Sequence, residues 1–404
     1  MISPPIADGA VVVSGNRIKA VGRWRELRSN FSRQVADLGE AVLMPGLINA
    51  HCHLDYTHMA GQFTPPRNFT DWLKLITSTK AGWNVSEYKA SWLTGARMLL
   101  QSGTTTVGDI EAVPELLPAI WEATPLRVFS FLEMIGITTR RPPELVLRET
   151  LEKMAALDHP RCAIGLSPHA PYSTVSQLLK SAAKVAEQNA WRVCMHVAES
   201  QTEFAMFMDA KGEMFEWLRR SGRDMSDCGG VSPVSHLERC GVLKNNLLAI
   251  HANYLARGDA AMMARRKVSV VHCPRTHAYF RPEKFPLKRL VNAGVNVCLG
   301  TDSLASVVET RGQSIELDMF AEMRLMAQNF PPLASRTILR MATMNGARAL
   351  GQSGRLGQLS REALADLIAV PWGGNMRRVT DEVLEHRGSV TASLINGKWA
   401  IPPP

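Results

Sequence analysis

Along the middle of the chain, short apolar runs ending in a polar residue alternate with longer segments whose apolar positions recur at helical spacing. Eight runs fit strands: Leu43–His53, Thr104–Ile110, Arg127–Met134, Ala163–His169, Arg192–Glu199, Leu247–Asn253, Val268–Cys273 and Asn296–Asp302. Between them, Glu87–Ser102 with Ser86 as its N-cap and Ser176–Asn189 are expected as helices. Strands alternating with helices predict βα units around a parallel sheet, and eight such strands close into a barrel. The chain ends follow period-two patterns instead. Val11–Val13 and Ile18–Val21 flank a turn at Ser14-Gly15-Asn16, while Ala365–Val370 and the segment Ser389–Ile401, with its Asn396-Gly397 turn, read as further strands. The expected fold is α/β: a (β/α)8 TIM-type barrel over 44–354, with a small β-sandwich domain formed by both chain ends, 1–43 plus 355–404.

Composition narrows this little. The 404 residues, 46% hydrophobic and 21% charged, suffice for a large core. No stretch reaches the roughly 18 uncharged apolar residues of a membrane helix, and the opening MISPPIADGAVVVSG has no charged segment followed by a long apolar run, so a cytoplasmic address without a membrane partner is expected. The seven cysteines are odd in number and scattered, unlike a disulfide framework. The net charge of +9 is spread widely, and pairs such as Arg219-Arg220 and Arg265-Arg266 read as solvated helix faces, so no nucleic-acid partner is expected.

Chemistry changes the picture more. In a parallel barrel, functional groups project from the C-terminal ends of the strands. Those ends carry His51 and His53, Asp109, Glu133, His169, His196 with Glu199, His251, His272 and Asp302. One histidine at a strand end is usually a hydrogen-bonded structural residue; so many together point to a metal. His51 and His53 are two apart on a strand and so share a face, with Cys52 on the other. His196 can add a third nitrogen and Asp302 an oxygen, a mixed set that suits zinc, iron or a related ion and leaves a position for water. Such a site lowers the pKa of bound water from about 16 towards about 7, which serves hydrolysis.

The segments MPGLINAHCHLDYTHMAG (Met44–Gly61), HVAES (His196–Ser200), LLAIHANYL around His251 and LGTDSLAS (Leu299–Ser306) resemble the amidohydrolase superfamily, closest to its aminohydrolase branch of adenosine-derivative deaminases, guanine and cytosine deaminases and triazine hydrolases. The resemblance spans most of the chain, including NGARALG (Asn345–Gly351) and ADLIAV (Ala365–Val370). It implies that His51, His53, His196 and Asp302 hold the metal, zinc first and iron as the alternative. It further implies that Glu199 protonates a heteroaromatic ring nitrogen, that His251 orients the attacking water, and that Asp302 also accepts its proton. His169 resembles a substrate-contacting residue. Strand four ends in Pro168-His169, without the lysine that bridges two metals in binuclear members, which implies a single ion. The implied activity is hydrolysis of a non-peptide carbon–nitrogen bond, deamination of a small heterocycle first, with ring-amide or substituent hydrolysis as the competitor and a non-catalytic scaffold as the distant one. A homodimer is the assembly the resemblance suggests.

The substrate pocket stays open on sequence. Trp72, in the segment after the first strand, fits either a ring-stacking role or the buried face of a short helix. His272 fits a site-lining role, and Arg275 either a polar substrate contact or a structural one, with His277 and Tyr279 beside them.

Overall fold

Glycine divides what the hydrophobic pattern presents as one strand. In the computed structural model, which describes residues 3–29, 35–138, 141–308 and 315–404, the run Leu43–His53 separates at Gly46. There, an added Cβ would collide with the Thr105 side chain. The part before it belongs to a sheet of the chain ends and the part after it opens the barrel. In chain order the strands are β1 (Gly9–Ser14), β2 (Arg17–Arg23), β3 (Ala41–Pro45), β4 (Leu47–Cys52), β5 (Thr104–Glu111), β6 (Arg127–Met134) and β7 (Ala163–Pro168). They continue with β8 (Val193–Val197), β9 (Leu247–His251), β10 (Ser269–His272), β11 (Asn296–Leu299), β12 (Leu367–Pro371), β13 (Ala392–Ile395) and β14 (Lys398–Ile401).

Strands β4 to β11 form one parallel sheet in sequential order. It closes where the chain beyond β11 returns to β4: the amides of Thr301 and Asp302 both donate to the His51 carbonyl at 3.1 Å. Gly300 permits that approach, since a Cβ there would lie 2.7 Å from the same oxygen. Ile48, Ala50, Ile110, Phe129, Phe131, Cys194, Leu248, Ile250, Val271, Cys273 and Cys298, drawn from strands all round the sheet, pack into a single cluster that fills the interior. A larger cluster joins the outer strand faces to the helices.

The expected helices form with shifted starts. Val85–Gln101 is capped by Asn84 rather than Ser86, and Glu87 returns the bond to the Asn84 amide in a capping box. Ser176–Gln188 follows as expected. No helix of the described residues is long and apolar enough to cross a membrane. All seven cysteines are free.

Both chain ends build the remaining sheets. β1 and β2 form a hairpin, and β3 from the amino-terminal side pairs with β12 in a four-stranded antiparallel sheet ordered β14-β13-β12-β3. Ile18, Ala365, Leu367 and Leu394, with Val11, Val13 and Leu43, make the apolar cluster the two sheets share. At the β13–β14 turn Asn396 and Gly397 both have positive φ, 53° and 77°, as a two-residue hairpin turn requires. Arg127, at the start of β6, ties the barrel to these sheets: Nε and Nη2 donate to the Asp366 carboxylate at 3.0 and 3.2 Å.

Candidate metal centre and active site

The functional side chains lie at or just past the last paired residue of their strands. β4 ends before His53, β7 before His169, β8 before Glu199 and β11 before Asp302. Released from the ladder, the backbone bends: Ala198, His251, Ala252 and Asp302 have φ of 50°, 69°, 51° and 55°. Such non-glycine conformations cost about 1–3 kcal/mol each and persist where the surrounding structure imposes them, commonly at functional sites.

His51, His53, His196 and Asp302 are all buried, and each places one donor atom within 4.8 Å of the others. His53 Nε2 lies 3.3 Å from His196 Nε2, and Asp302 Oδ1 lies 3.4 Å from His51 Nε2 and 3.7 Å from His53 Nε2. His196 Nδ1 donates to the His169 carbonyl at 3.0 Å, which turns its Nε2 lone pair into the cluster. Burial holds His53 down to about 3 and His196 well below the usual imidazole range, so both rings are neutral. Burial alone would raise Asp302; the His51, His251 and His53 rings around it outweigh that and hold it well below the usual carboxylate range.

Nε2 of His53 and Nε2 of His196 face one another at 3.3 Å, and the buried Nε2 of His51 has no well-aligned hydrogen-bond partner. Three imidazole nitrogens and one ionised carboxylate are the donor set of a divalent transition ion. With His53 Nε2 and His196 Nε2 3.3 Å apart, bonds of about 2.1 Å to each would subtend roughly 100°, close to tetrahedral. The residues present fit such an ion.

Glu199 stands beside this cluster. Its Oε1 is 3.3 Å from His251 Nε2, which also lies 3.7 Å from Asp302 Oδ2. Burial, then the negative charges of Asp302 and Glu203, push the Glu199 carboxyl well above its ordinary value. Two carboxyl groups flanking one imidazole are therefore pushed in opposite directions, Asp302 towards its ionised form and Glu199 towards its protonated one, the pattern that divides base from acid. His251 is held down to about 3, chiefly by burial. Glu203, on the helix Gln201–Asp209, accepts from the Ala198 and Glu199 amides at 2.9 Å each and fixes the bend that aims Glu199.

A cleft opens beside these groups. His53, His169, His196, Glu199 and Asp302 line it together with Tyr56, Phe69, Trp72, Leu73, Ile76, Lys80, Glu133, Tyr172 and Trp217. Trp72 serves both readings of its sequence context. It lines the cleft on the helix Phe69–Lys80 and also packs on Phe69 and Phe280, with ring centroids 6.1 and 5.1 Å away. His169 borders the cleft with Nδ1 2.6 Å from Ser173 Oγ.

His272 and Arg275 are not brought into the cleft lining. Val271 and Cys273 face the barrel interior, so strand alternation sends His272 to the other side, where it stacks on Phe285 with centroids 3.8 Å apart. Arg275 is engaged elsewhere: its amide donates to Glu322 at 2.9 Å and its Nη1 to the Glu316 carbonyl at 2.6 Å. Asp109, another polar strand end, supports the first loop by accepting from the Leu54 amide at 2.9 Å and Trp92 Nε1 at 2.8 Å. Sequence reasoning missed Glu203, whose only signal is its position one helical turn after Glu199. It also missed Lys80, Tyr172 and Trp217, which look like ordinary helix and loop residues.

A closed parallel barrel carrying a buried His3Asp cluster with a buried glutamate beside it at its mouth defines a class, the metal-dependent hydrolases of that architecture. The chain belongs to the amidohydrolase family, whose profile matches residues 42–400. It is 32% identical over 378 residues to a 5-methylthioadenosine/S-adenosylhomocysteine deaminase of Syntrophobacter fumaroxidans, covering 90% of this chain and 80% of the relative. It is 29% identical over 360 residues to the aminodeoxyfutalosine deaminase of Deinococcus radiodurans, covering 85% and 82%. Among solved structures, an adenosine deaminase from Xanthomonas campestris with bound zinc superposes with a TM-score of 0.83 at 28% identity, over 98% of this chain and 89% of the other.

Proposed function

We propose that this protein deaminates an aminated heterocycle of the adenosine-derivative type by hydrolysis, using one divalent ion, zinc or iron, held by His51, His53, His196 and Asp302. The observation that carries the reading is the convergence of donor atoms of His51, His53, His196 and Asp302 within 4.8 Å of one another, with Glu199 and Asp302 both set against His251 beside them. The named activities of the relatives support the same reading.

When bound, the ion supplies acidity to a water molecule, so that a hydroxide-like nucleophile exists at neutral pH. The chain's own groups do the rest. Asp302 and His251 orient the water, and Asp302 accepts its proton. Glu199 delivers a proton to the ring nitrogen next to the amino-bearing carbon, which makes that carbon electrophilic. A carbon–oxygen bond forms, the proton held by Asp302 passes to the amino group, and as the carbon–nitrogen bond breaks and ammonia leaves, the new hydroxyl gives its proton back to Glu199 and becomes the carbonyl. His169 contacts the heterocycle, and the aromatic wall containing Trp72 covers its face and excludes water.

The test is ammonia release by the zinc-loaded protein against adenosine, methylthioadenosine, S-adenosylhomocysteine, aminofutalosine, guanine, cytosine and a triazine. Release from an adenosine derivative, abolished in His196→Ala, is the expected result. Silence across the panel with metal confirmed bound would overturn deamination in favour of amide or substituent hydrolysis.

A further inference from the structure

A second set of donor atoms converges beside the first. His251, Cys273 and Asp302, all buried, each place one ligand atom within 4.8 Å of the others. Asp302 belongs to both sets, and its two oxygens divide between them: Oδ1 lies 3.4 Å from His51 Nε2, whereas Oδ2 lies 3.7 Å from His251 Nε2. That His251 nitrogen is buried without a well-aligned hydrogen-bond partner. Cys273 follows β10 and sits on the interior side of the barrel with Val271. A small apolar residue would fill this place as well as a thiol, but only the sulfur adds a soft donor to the free imidazole nitrogen and the carboxylate.

The donor sets differ in chemistry. The first offers three nitrogens and an oxygen, the second one nitrogen, one sulfur and one oxygen, and a thiolate selects zinc or cadmium over magnesium or manganese. With His251 Nε2 and Asp302 Oδ2 3.7 Å apart, bonds of about 2.1 Å to each would subtend roughly 120°. Glu199 Oε1, 3.3 Å from the same nitrogen, stands beside this gap. Glu199 and Asp302 both line the cleft, which gives an ion its way in. Three donors, one of them shared, hold an ion less firmly than the four of the first set, so the second set fills last.

Building on the metal-hydrolase reading, we propose that His251, Cys273 and Asp302 form a second, inhibitory site for a thiophilic divalent ion, zinc or cadmium, occupied only when the ion exceeds one per chain. On binding, the Cys273 thiol gives its proton to solvent and its sulfur bonds the ion. The ion then occupies His251 Nε2 and Asp302 Oδ2, the groups assigned to the attacking water, and turnover stops while the first ion stays in place. Cys273 has no part in the reaction, so its replacement leaves basal turnover unchanged and removes the inhibition.

Protein holding one zinc per chain is titrated with cadmium chloride, following the ultraviolet cadmium–thiolate charge-transfer band, metal bound after gel filtration, and ammonia release from methylthioadenosine. The wild-type chain is expected to take up one further ion, develop the band and lose turnover in parallel. Cys273→Ser should show no band and bind the second ion more weakly by at least the roughly 10- to 100-fold that losing an outer partner of a metal site costs, with turnover surviving at cadmium levels that silence the wild type. Cys194→Ala removes the thiol nearest the first set, its Sγ 3.9 Å from His51 Nδ1, and should keep the band. No further ion in the wild type, a band that persists in Cys273→Ser, or a second ion bound with turnover unchanged would overturn the proposal. If Cys273→Ser does not fold, X-ray absorption at the cadmium edge of the wild-type protein decides: one sulfur neighbour supports the site and none overturns it. A second ion bound through Cys273 in a protein that releases no ammonia even with one zinc would support the site while refuting deamination, so the two readings fail separately.

Discussion

Replacing Glu199 with glutamine keeps the size and shape of the side chain but removes the proton it is proposed to deliver. The structure places its Oε1 3.3 Å from His251 Nε2, and Glu199 is not one of the four clustered metal donors. Metal content is therefore expected to stay at the wild-type level. General acid catalysis contributes about 100- to 10,000-fold, so kcat should fall by that factor, a barrier increase of roughly 3–5 kcal/mol. The pH profile carries a second signature. Burial and neighbouring negative charge raise the Glu199 pKa, so the active, protonated form persists to higher pH than in an ordinary glutamate and is lost as pH rises through the raised value. The wild-type enzyme should lose activity on this alkaline limb, and the glutamine variant, with nothing to titrate, should not. Steady-state ammonia release across pH, with metal analysis of each sample, measures both. A variant with wild-type metal and kcat within about threefold of wild type would refute the acid role.

Other perturbations follow from the same geometry. Glu203→Gln removes one of the two acceptors that hold the Ala198 and Glu199 amides. It should lower kcat about 100-fold through misplacement of Glu199, with metal content and KM little changed; an equal rise in KM would argue against a positioning role. Asp366→Ala leaves Arg127, whose side chain is 8% exposed, without its buried partner. It should cost about 3–5 kcal/mol in urea denaturation, and a loss under 1 kcal/mol would show that the tie between barrel and end sheets is weak.

Much of the barrel was legible because each strand is an apolar run closed by a polar residue, a pattern local enough to read without partners. Gly46 was not legible as a break, since apolar residues continue on both sides; the division exists because β3 pairs with β12, more than 300 positions away. The helix start at Asn84 was misread for the opposite reason: Asn84 and Ser86 are both good caps, and only the reciprocal bond from Glu87 decides between them. His51, His53, His196, His251 and Asp302 converge as their strand-end positions suggest. His272 and Arg275 do not, because strand parity and a partner 47 residues away settle their places. Lys80 and Glu133 meet across segments with no sequence link between them.

The most direct test of the account is metal content per chain, measured by plasma mass spectrometry on protein purified without added chelator, alongside the His196→Ala variant and ammonia release from methylthioadenosine. One divalent transition ion per wild-type chain, less than a tenth of that in the variant, and release only from the metal-bound protein is the predicted result. Full occupancy in His196→Ala, or release that persists when the metal has been removed, would contradict it.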